Sequence, residues 1–497
     1  MRLAAVDLGA TSGRVMIGEI GPDSVSLREV HRFANGPVRL GATLHWDIVG
    51  IYRETLAGLR AAGGIAGIGI DSWAVDYGLL DRDGTLLGNP VCYRDSRTDG
   101  IAATVHSSVP ATDLWRVTGL RELPFNTIYQ LLSEVDGSRL AAAETMLLIP
   151  DLLGYWLTGA VGAERTNAST TGLYDARRQE WADLATRVGI PPRLLPPLRS
   201  AGDLVGKTTP GVTAELGAGS PVPVVAVGSH DTASAVVGVP AAPDSDFAYI
   251  SSGTWSLVGM ELAEPVLTEQ ARLAGFSNEA GIDGTTRLLR NVTGLWVLSE
   301  TLRTWDHPVS LEDALAAASD APAFGPMIDI DAPELLPPGD MPTRIADACR
   351  ATAQRPPEGV GETTRCVLES LAMAYRRTVR RLTEVTGRPV DVVHLVGGGT
   401  HNELLCALTA DACGVPVVAG PVESAALGNV LVQARTLGLD LPDRWAMRAL
   451  VRRCLPTRTY LPTARSSSWD TIESRCATLG LWDRAQPRPD VHRGCAT

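Results

Sequence analysis

Three stretches of this chain carry residue types whose spacing could do chemistry. The segment Asp7-Leu-Gly-Ala-Thr-Ser-Gly-Arg14 gathers a carboxylate, two hydroxyls, a guanidinium and several backbone N–H groups into one turn. Phosphates are cradled by such N–H groups, and an aspartate beside them can reach a hydrated Mg²⁺. An ordinary polar hairpin turn has the same composition, so the segment alone leaves both readings open. Ser251-Ser-Gly-Thr254, of the same character in the other half, favours phosphate, because two facing turns could clamp one polyphosphate tail.

The second stretch, Val224-Val-Ala-Val-Gly-Ser-His230-Asp231, puts an acid at the carboxyl end of an apolar strand. A general base is well placed there. A helix N-cap is the commoner task for aspartate at such a junction, and spacing alone favours the cap. The third, Gly397-Gly-Gly399, lies between a buried strand and a helix. It would let a planar ligand come close to the backbone, or serve as a flexible connector. Gly202-Asp-Leu-Val-Gly-Lys-Thr208 imitates a phosphate-binding Walker loop, but it is one residue short between its glycines and follows no strand. It reads as a surface turn.

The elements that must position these residues follow from pattern. Leu3 to Gly18 reads as strand, tight turn and strand, with a further strand over about 24–33. An amphipathic helix is expected near 48–62 and a buried strand over Ile65–Ile70, ending at Asp71-Ser-Trp. The opening hairpin recurs about 245 residues later, from Phe247 onward, which suggests a duplicated fold. Leu368, Leu371, Tyr375, Val379 and Leu382 recur at helical spacing until Gly387-Arg-Pro389 stops them. A strand at 390–396, a helix at 402–413, a strand at 415–419 and a helix after Glu423 complete an α/β alternation. The proline-rich patches at 191–197, 321–342 and 356–357 read as loops.

Composition narrows the class. The chain has 497 residues, 45% hydrophobic and 20% charged, the balance of a globular protein with room for two domains. A net charge of −12 repels phosphate backbones and anionic lipid, so neither nucleic acid nor membrane is an expected partner. Eight cysteines form no CxxC and the eight histidines no zinc spacing, which suits a reducing cytoplasm. No apolar run approaches the ~18 residues of a membrane helix, and Asp7 in the first apolar run argues against a signal peptide.

The chain resembles the FGGY carbohydrate kinase family. The likeness rests on Ala5-Val-Asp-Leu-Gly-Ala-Thr-Ser-Gly-Arg, Gly67-Ile-Gly-Ile-Asp-Ser-Trp, Tyr93-Arg-Asp-Ser-Arg-Thr and Phe125-Asn-Thr-Ile-Tyr-Gln. It continues through Thr166-Asn-Ala-Ser-Thr-Thr, Ser229-His-Asp-Thr-Ala-Ser-Ala, Ser251-Ser-Gly-Thr-Trp-Ser, Asn291-Val-Thr-Gly-Leu-Trp, Val396-Gly-Gly-Gly and Ala419-Gly-Pro-Val-Glu-Ser, in family order. The runs at Tyr93 and Ser229 mark the branch that acts on L-rhamnulose. The resemblance implies an α/β, actin-like ATPase fold: two duplicated ribonuclease-H-like domains around a central cleft. Residues 1–240 would carry the sugar and the phosphate loop, 241–484 the nucleotide, and 485–497 would be a frayed tail.

It further implies ATP-dependent phosphorylation of the 1-hydroxyl of L-rhamnulose in rhamnose catabolism, by a cytoplasmic monomer or homodimer. Asp231 would be the base, with Ala74, His230, Asp231, Thr232 and Asn291 facing the ketose. Ala10, Thr11, Ser12, Gly13, Arg14 and Thr254 would hold phosphates, Ser299 and Gly398 would lie near the adenosine, and Asp7 would position Mg²⁺ through water. Two positions depart from the family's pattern: Ala74 stands where glycine is usual, and Ser299 where a longer amide is common. The alternatives are a kinase of another ketose or polyol, such as L-fuculose or xylulose, and more remotely a non-kinase actin-like ATPase. No disulfide is expected.

Overall fold

The computed structural model describes residues 1–482; the tail expected to fray, 485–497, lies outside the described residues. Two compact units form. The first comprises residues 1–242, 261–288 and 423–455, and the second 243–260, 289–422 and the chain from 456 onward.

In the first unit the strands Arg2–Leu8, Ser12–Gly21 and Ser24–Ala34 form an antiparallel meander. Leu3 through Leu8 are all buried, so the first strand is covered on both faces and its run is apolar except at Asp7. Its free edge pairs in parallel with Gly67–Ser72, which pairs in parallel with Pro223–Val225. The helix Ile48–Ala62 begins where expected because the Asp47 side chain accepts the Gly50 N–H. It packs Ile51, Leu56 and Leu59 against Val6, Leu8, Val15 and Ile17. A helix contributed from much later in the chain, Ser424–Thr436, sets Leu427, Val430 and Leu431 with Leu3, Ala5 and Met16 in a second core layer.

The second unit repeats this pattern. Phe247–Ser252 pairs antiparallel with Ser256–Leu262 and parallel with Val392–Val396. The latter pairs in parallel with Val417–Ala419, whose other edge takes Arg458–Tyr460 antiparallel. Hairpin, two parallel strands and an antiparallel edge occur in both units, which is the duplication anticipated from the recurring hairpin. The helix Gly359–Thr386 buries Leu368, Leu371, Tyr375, Val379 and Leu382 and stops at Gly387, whose φ of 67° turns the chain left-handed.

Two local expectations need correction. Leu204–Lys207 is a strand rather than a turn, because its backbone pairs antiparallel with Pro223–Val225 at the sheet edge. The patch at 321–342 is not all loop: the helix Met341–Ala351 starts inside it, with Pro342 in the first turn where a missing N–H is harmless. No helix among the described residues is long and apolar enough to cross a membrane. Lys207 is exposed on its edge strand. Lys207→Ala should therefore leave turnover within about threefold of the parent, whereas loss of a true phosphate-loop lysine abolishes most activity; steady-state kinetics on the folded variant checks this.

Candidate active site

Three strand ends are stitched together in the first unit. The Trp73 N–H donates to Leu8 O at 3.0 Å, and the Ser72 N–H to Ser229 O at 2.9 Å. The parallel register sets Asp7 directly opposite Asp71. Asp231 follows Ser229 by two residues, so three carboxyl groups gather at the carboxyl ends of neighbouring central strands. Asp71 is fully buried, and its carboxyl is pushed well above the usual range, first by burial and then by the charge of Asp7. The Asn429 amide opposes the shift by donating to Asp71 Oδ2 at 2.6 Å, and Gln433 donates in turn to Asn429 at 2.6 Å.

Asp231 opens the helix Asp231–Val237, and His230, not Asp231, occupies the capping position. Asp231 thus stands one residue inside the helix, and the His230 side chain makes no bond to the helix end. Its side chain keeps 35% of its surface open. Oδ1 accepts the Thr232 N–H at 2.6 Å and the Thr232 hydroxyl at 3.2 Å. Partial desolvation raises the carboxyl above its ordinary range; His230 pulls it down and Asp7 pushes it up. A carboxylate shifted upward binds a proton more readily than a free aspartate, which suits a general base.

The turn from Ala10 to Arg14 closes with the Gly9 N–H on Ser12 O at 2.9 Å, and the Asn35 amide donates to Gly9 O at 2.8 Å. Thr11 is exposed, and Ala10 and Ser12 are half-buried. Gly13 is glycine for an internal reason: a Cβ there would lie 2.2 Å from the Phe33 ring. Arg14 donates to Asp7 and to Glu423 on its other side. Burial opposes its charge, but the two carboxylates outweigh that and raise its pKa. The guanidinium expected among the phosphate ligands thus also restrains the aspartate expected to orient Mg²⁺.

Ala74 sits half-buried in a strained loop. Val75 beside it has φ of 69°, costly for a β-branched residue, and is held there by the Thr127 hydroxyl at 2.7 Å on its carbonyl. Asp76 anchors the loop. Its Oδ2 accepts Trp46 Nε1 at 2.6 Å, Trp73 Nε1 at 3.1 Å and the Tyr93 N–H at 3.1 Å, while Oδ1 accepts Gln130 Nε2 at 3.0 Å. Burial nevertheless raises Asp76 to about 6.

His230 and Thr232 are both buried. His230 Nδ1 lies 3.1 Å from Glu279, which also accepts Arg287 at 3.0 Å. The Ser229 N–H and hydroxyl donate to Glu164 Oε2 at 3.0 and 2.9 Å, and Thr166 fills the same oxygen. Glu164, Glu279, Arg287 and Glu423 escaped the sequence reading. Their only signal is a charge within an apolar or small-residue segment, which a surface residue gives equally.

In the second unit Thr254 is exposed at the tip of its hairpin, whose backbone is held by Leu295 N–H on Gly253 O at 3.0 Å and Trp296 N–H on Thr254 O at 3.1 Å. Asn291 is half-buried between Arg290 and Thr293, both tied to Asp331. Ser299 is exposed on the helix Trp296–Arg303. The glycine triplet divides by role. A Cβ at Gly397 or Gly399 would strike Ser252, at 2.8 and 2.1 Å, whereas one at Gly398 would meet nothing within 4 Å. Packing explains the outer two glycines, and only Gly398 leaves its backbone open to a ligand.

Residues 51–238 match the N-terminal domain, and 248–437 the C-terminal domain, of the FGGY family of carbohydrate kinases. The chain is 40% identical over 473 residues to the rhamnulokinase of Bacteroides thetaiotaomicron, covering 94% of this chain and 96% of that one. It is 41% identical over 473 residues to the rhamnulokinase of Pectobacterium carotovorum, covering 93% and 94%. Among solved structures, ligand-bound xylulose kinase from Lactobacillus acidophilus has a TM-score of 0.81 at 18% identity, covering 96% and 97%. Plasmodium falciparum glycerol kinase with ADP has 0.75 at 16%, also covering 96% and 97%. At such identities these two speak for the fold, the actin-like ATPase fold of sugar kinases.

Asp76 offers a stability test of the loop geometry. Donors reach both of its oxygens, so the amide of Asp76→Asn must aim an N–H at another donor whichever way it turns. The variant should lose about 2–3 kcal/mol, the cost of leaving buried donors unpaired. Urea unfolding checks it, and an unchanged midpoint would contradict the convergence of donors on Asp76.

Proposed function

The chain belongs to the FGGY family of carbohydrate kinases and is an ATP-dependent sugar kinase, and from that premise we propose that it phosphorylates the 1-hydroxyl of L-rhamnulose with Asp231 as general base. The substrate rests on one observation, the identity of about 40% maintained along nearly the whole chain to two rhamnulokinases. The base rests on position: a carboxylate at a strand end, partly open, with Oδ1 engaged by Thr232 and Oδ2 left to accept a proton.

The ketose-facing groups are Ala74, His230, Thr232 and Asn291. Thr232 keeps Asp231 in one rotamer through its own N–H and hydroxyl. Asp231 accepts the hydroxyl proton as the sugar oxygen bonds to the γ-phosphorus, while the bond from that phosphorus to the β-phosphate oxygen breaks and ADP leaves. Backbone N–H groups and hydroxyls of Ala10, Thr11, Ser12 and Gly13, with Arg14 and Thr254, stabilise the phosphate oxygens; Gly398 and Ser299 face the adenosine. In phosphoryl transfer such positioning and charge neutralisation supply most of the rate.

The donor set fits Mg²⁺ held through water. Its side chains are hard oxygens, and no group of three ligating side chains exists among the described residues. Asp7, restrained by Arg14, would orient the coordinated waters, and the bound ion supplies positive charge to the phosphates. The net charge of −12 suits a cytoplasmic enzyme of sugar breakdown.

A coupled ADP-release screen over L-rhamnulose, L-fuculose, L- and D-xylulose and glycerol tests the substrate. L-rhamnulose should give the highest kcat/KM; a better xylulose or glycerol would overturn the substrate while leaving a kinase. An assembly ATPase would turn over ATP without any sugar dependence. Asp231→Asn removes the proton acceptor and keeps the shape, so kcat should fall at least ~10²-fold with ATP affinity and melting temperature nearly unchanged. Near-normal kcat in that variant would exclude Asp231 as the base.

A further inference from the structure

We infer that Glu279, itself held by Arg287, is a positioning residue that fixes His230 through Nδ1 and so presents the Nε2 edge of the ring, beside Asp231, to the acceptor sugar. This rests on the reading that places His230 and Asp231 at the sugar. The geometry is a chain of four groups. Arg287 Nη2 lies 3.0 Å from Glu279 Oε2, His230 Nδ1 lies 3.1 Å from the same oxygen, and His230 Nε2 lies 3.4 Å from Asp231 Oδ1. Arg287 Nη2 is also 3.3 Å from His230 Nδ1. A guanidinium only donates, so when Nδ1 carries its hydrogen the two donors share the one acceptor between them, the Glu279 oxygen. With Nδ1 committed, Nε2 is the only ring nitrogen that can exchange a hydrogen bond with a sugar hydroxyl.

The energetics favour a functional purpose over glue. Arg287 is fully buried and Glu279 nearly so. Burial works against the Glu279 charge, yet His230 and Arg287 hold its carboxyl below the usual range. A buried arginine–glutamate pair can usually be replaced by apolar residues at no loss of stability, because desolvation cancels most of the attraction. Here the pair is aimed at a histidine next to the base. The guanidinium is pinned independently, with Nε donating to Ala280 O at 3.1 Å, so the carboxylate is held from behind and the ring from the carboxylate. This is the arrangement by which an acid fixes the tautomer and aim of an imidazole.

The test uses the full chain and the best ketose from the screen, so a parent inactive on L-rhamnulose overturns the substrate reading alone. Glu279→Gln leaves Arg287 buried without its carboxylate and can fail to fold; the double variant Glu279→Gln/Arg287→Met removes both charges together. In the folded double variant the ketose KM should rise about tenfold or more while the ATP KM stays within about twofold, the loss of one charge-assisted hydrogen bond acting through the sugar side alone. Added to His230→Asn, the same double change should cost nothing further, because its effect passes through that ring. An unchanged ketose KM, equal shifts in both KM values, or full additivity with His230→Asn would each overturn the inference. Histidine-selective ¹⁵N NMR of the parent, assigned through His230→Asn, is independent of how the variants fold. It should show Nδ1 of His230 protonated, and an unprotonated Nδ1 would also overturn the inference.

Discussion

The parallel register between Arg2–Leu8 and Gly67–Ser72 is the constraint on which the first unit depends. It sets Asp7 opposite Asp71, and the bond from Ser72 to Ser229 brings Asp231 to the same strand ends. Carboxylates so close repel, and like charges facing one another across a ladder are destabilising. A sheet selected for stability alone would not collect them. Their proximity makes sense where a proton must be taken from a sugar hydroxyl beside a chain of phosphates, and the surrounding structure is arranged to contain the charge.

That containment uses a different device at each acid. Asp7 is matched by the Arg14 guanidinium, which Glu423 holds from the other side. Asp71 is buried, which pushes its carboxyl well above the usual range, and it takes an amide from Asn429. Asp231 keeps part of its surface open and leans on Thr232 and His230. Two of these partners, Glu423 and Asn429, come from the segment 423–455, which joins the first unit from far along the chain. The helix Ser424–Thr436 therefore closes a core layer and supplies electrostatic support at once.

The loop after the strand Gly67–Ser72 shows how strain is held in place. Val75 would relax to ordinary extended backbone if free. The carbonyl bond to Thr127 and the four donors on Asp76 prevent this, with Trp46 and Trp73 packed at 4.3 Å between ring centroids and their planes tilted by 40°. Ala74 is thereby presented on a rigid loop, and its methyl occupies a defined place. In the second unit the glycine triplet separates packing from exposure in the same way, since only Gly398 is free of a neighbour.

Local patterns were legible in the residues themselves. The helix Ile48–Ala62, the hairpin at each unit's start, the stop at Gly387 and the strand before the glycine triplet all follow from periodicity, caps and glycine, which act over a few residues. Family likeness extended this to the kinase and its fold. The sequence could not show that Lys207 lies on an edge strand, because strand pairing there depends on Pro223–Val225, some sixteen residues away. Nor could it distinguish Gly13, required by Phe33, from a glycine required by a ligand. Only the tertiary structure decided that His230 rather than Asp231 occupies the position before its helix, that Arg14 grips Asp7 and Glu423, and that Glu279 and Arg287 stand behind His230. The reason is physical: hydrogen bonds and charges act over a few ångströms of space, and His230–Glu279 and Arg14–Glu423 lie 49 and 409 positions apart along the chain.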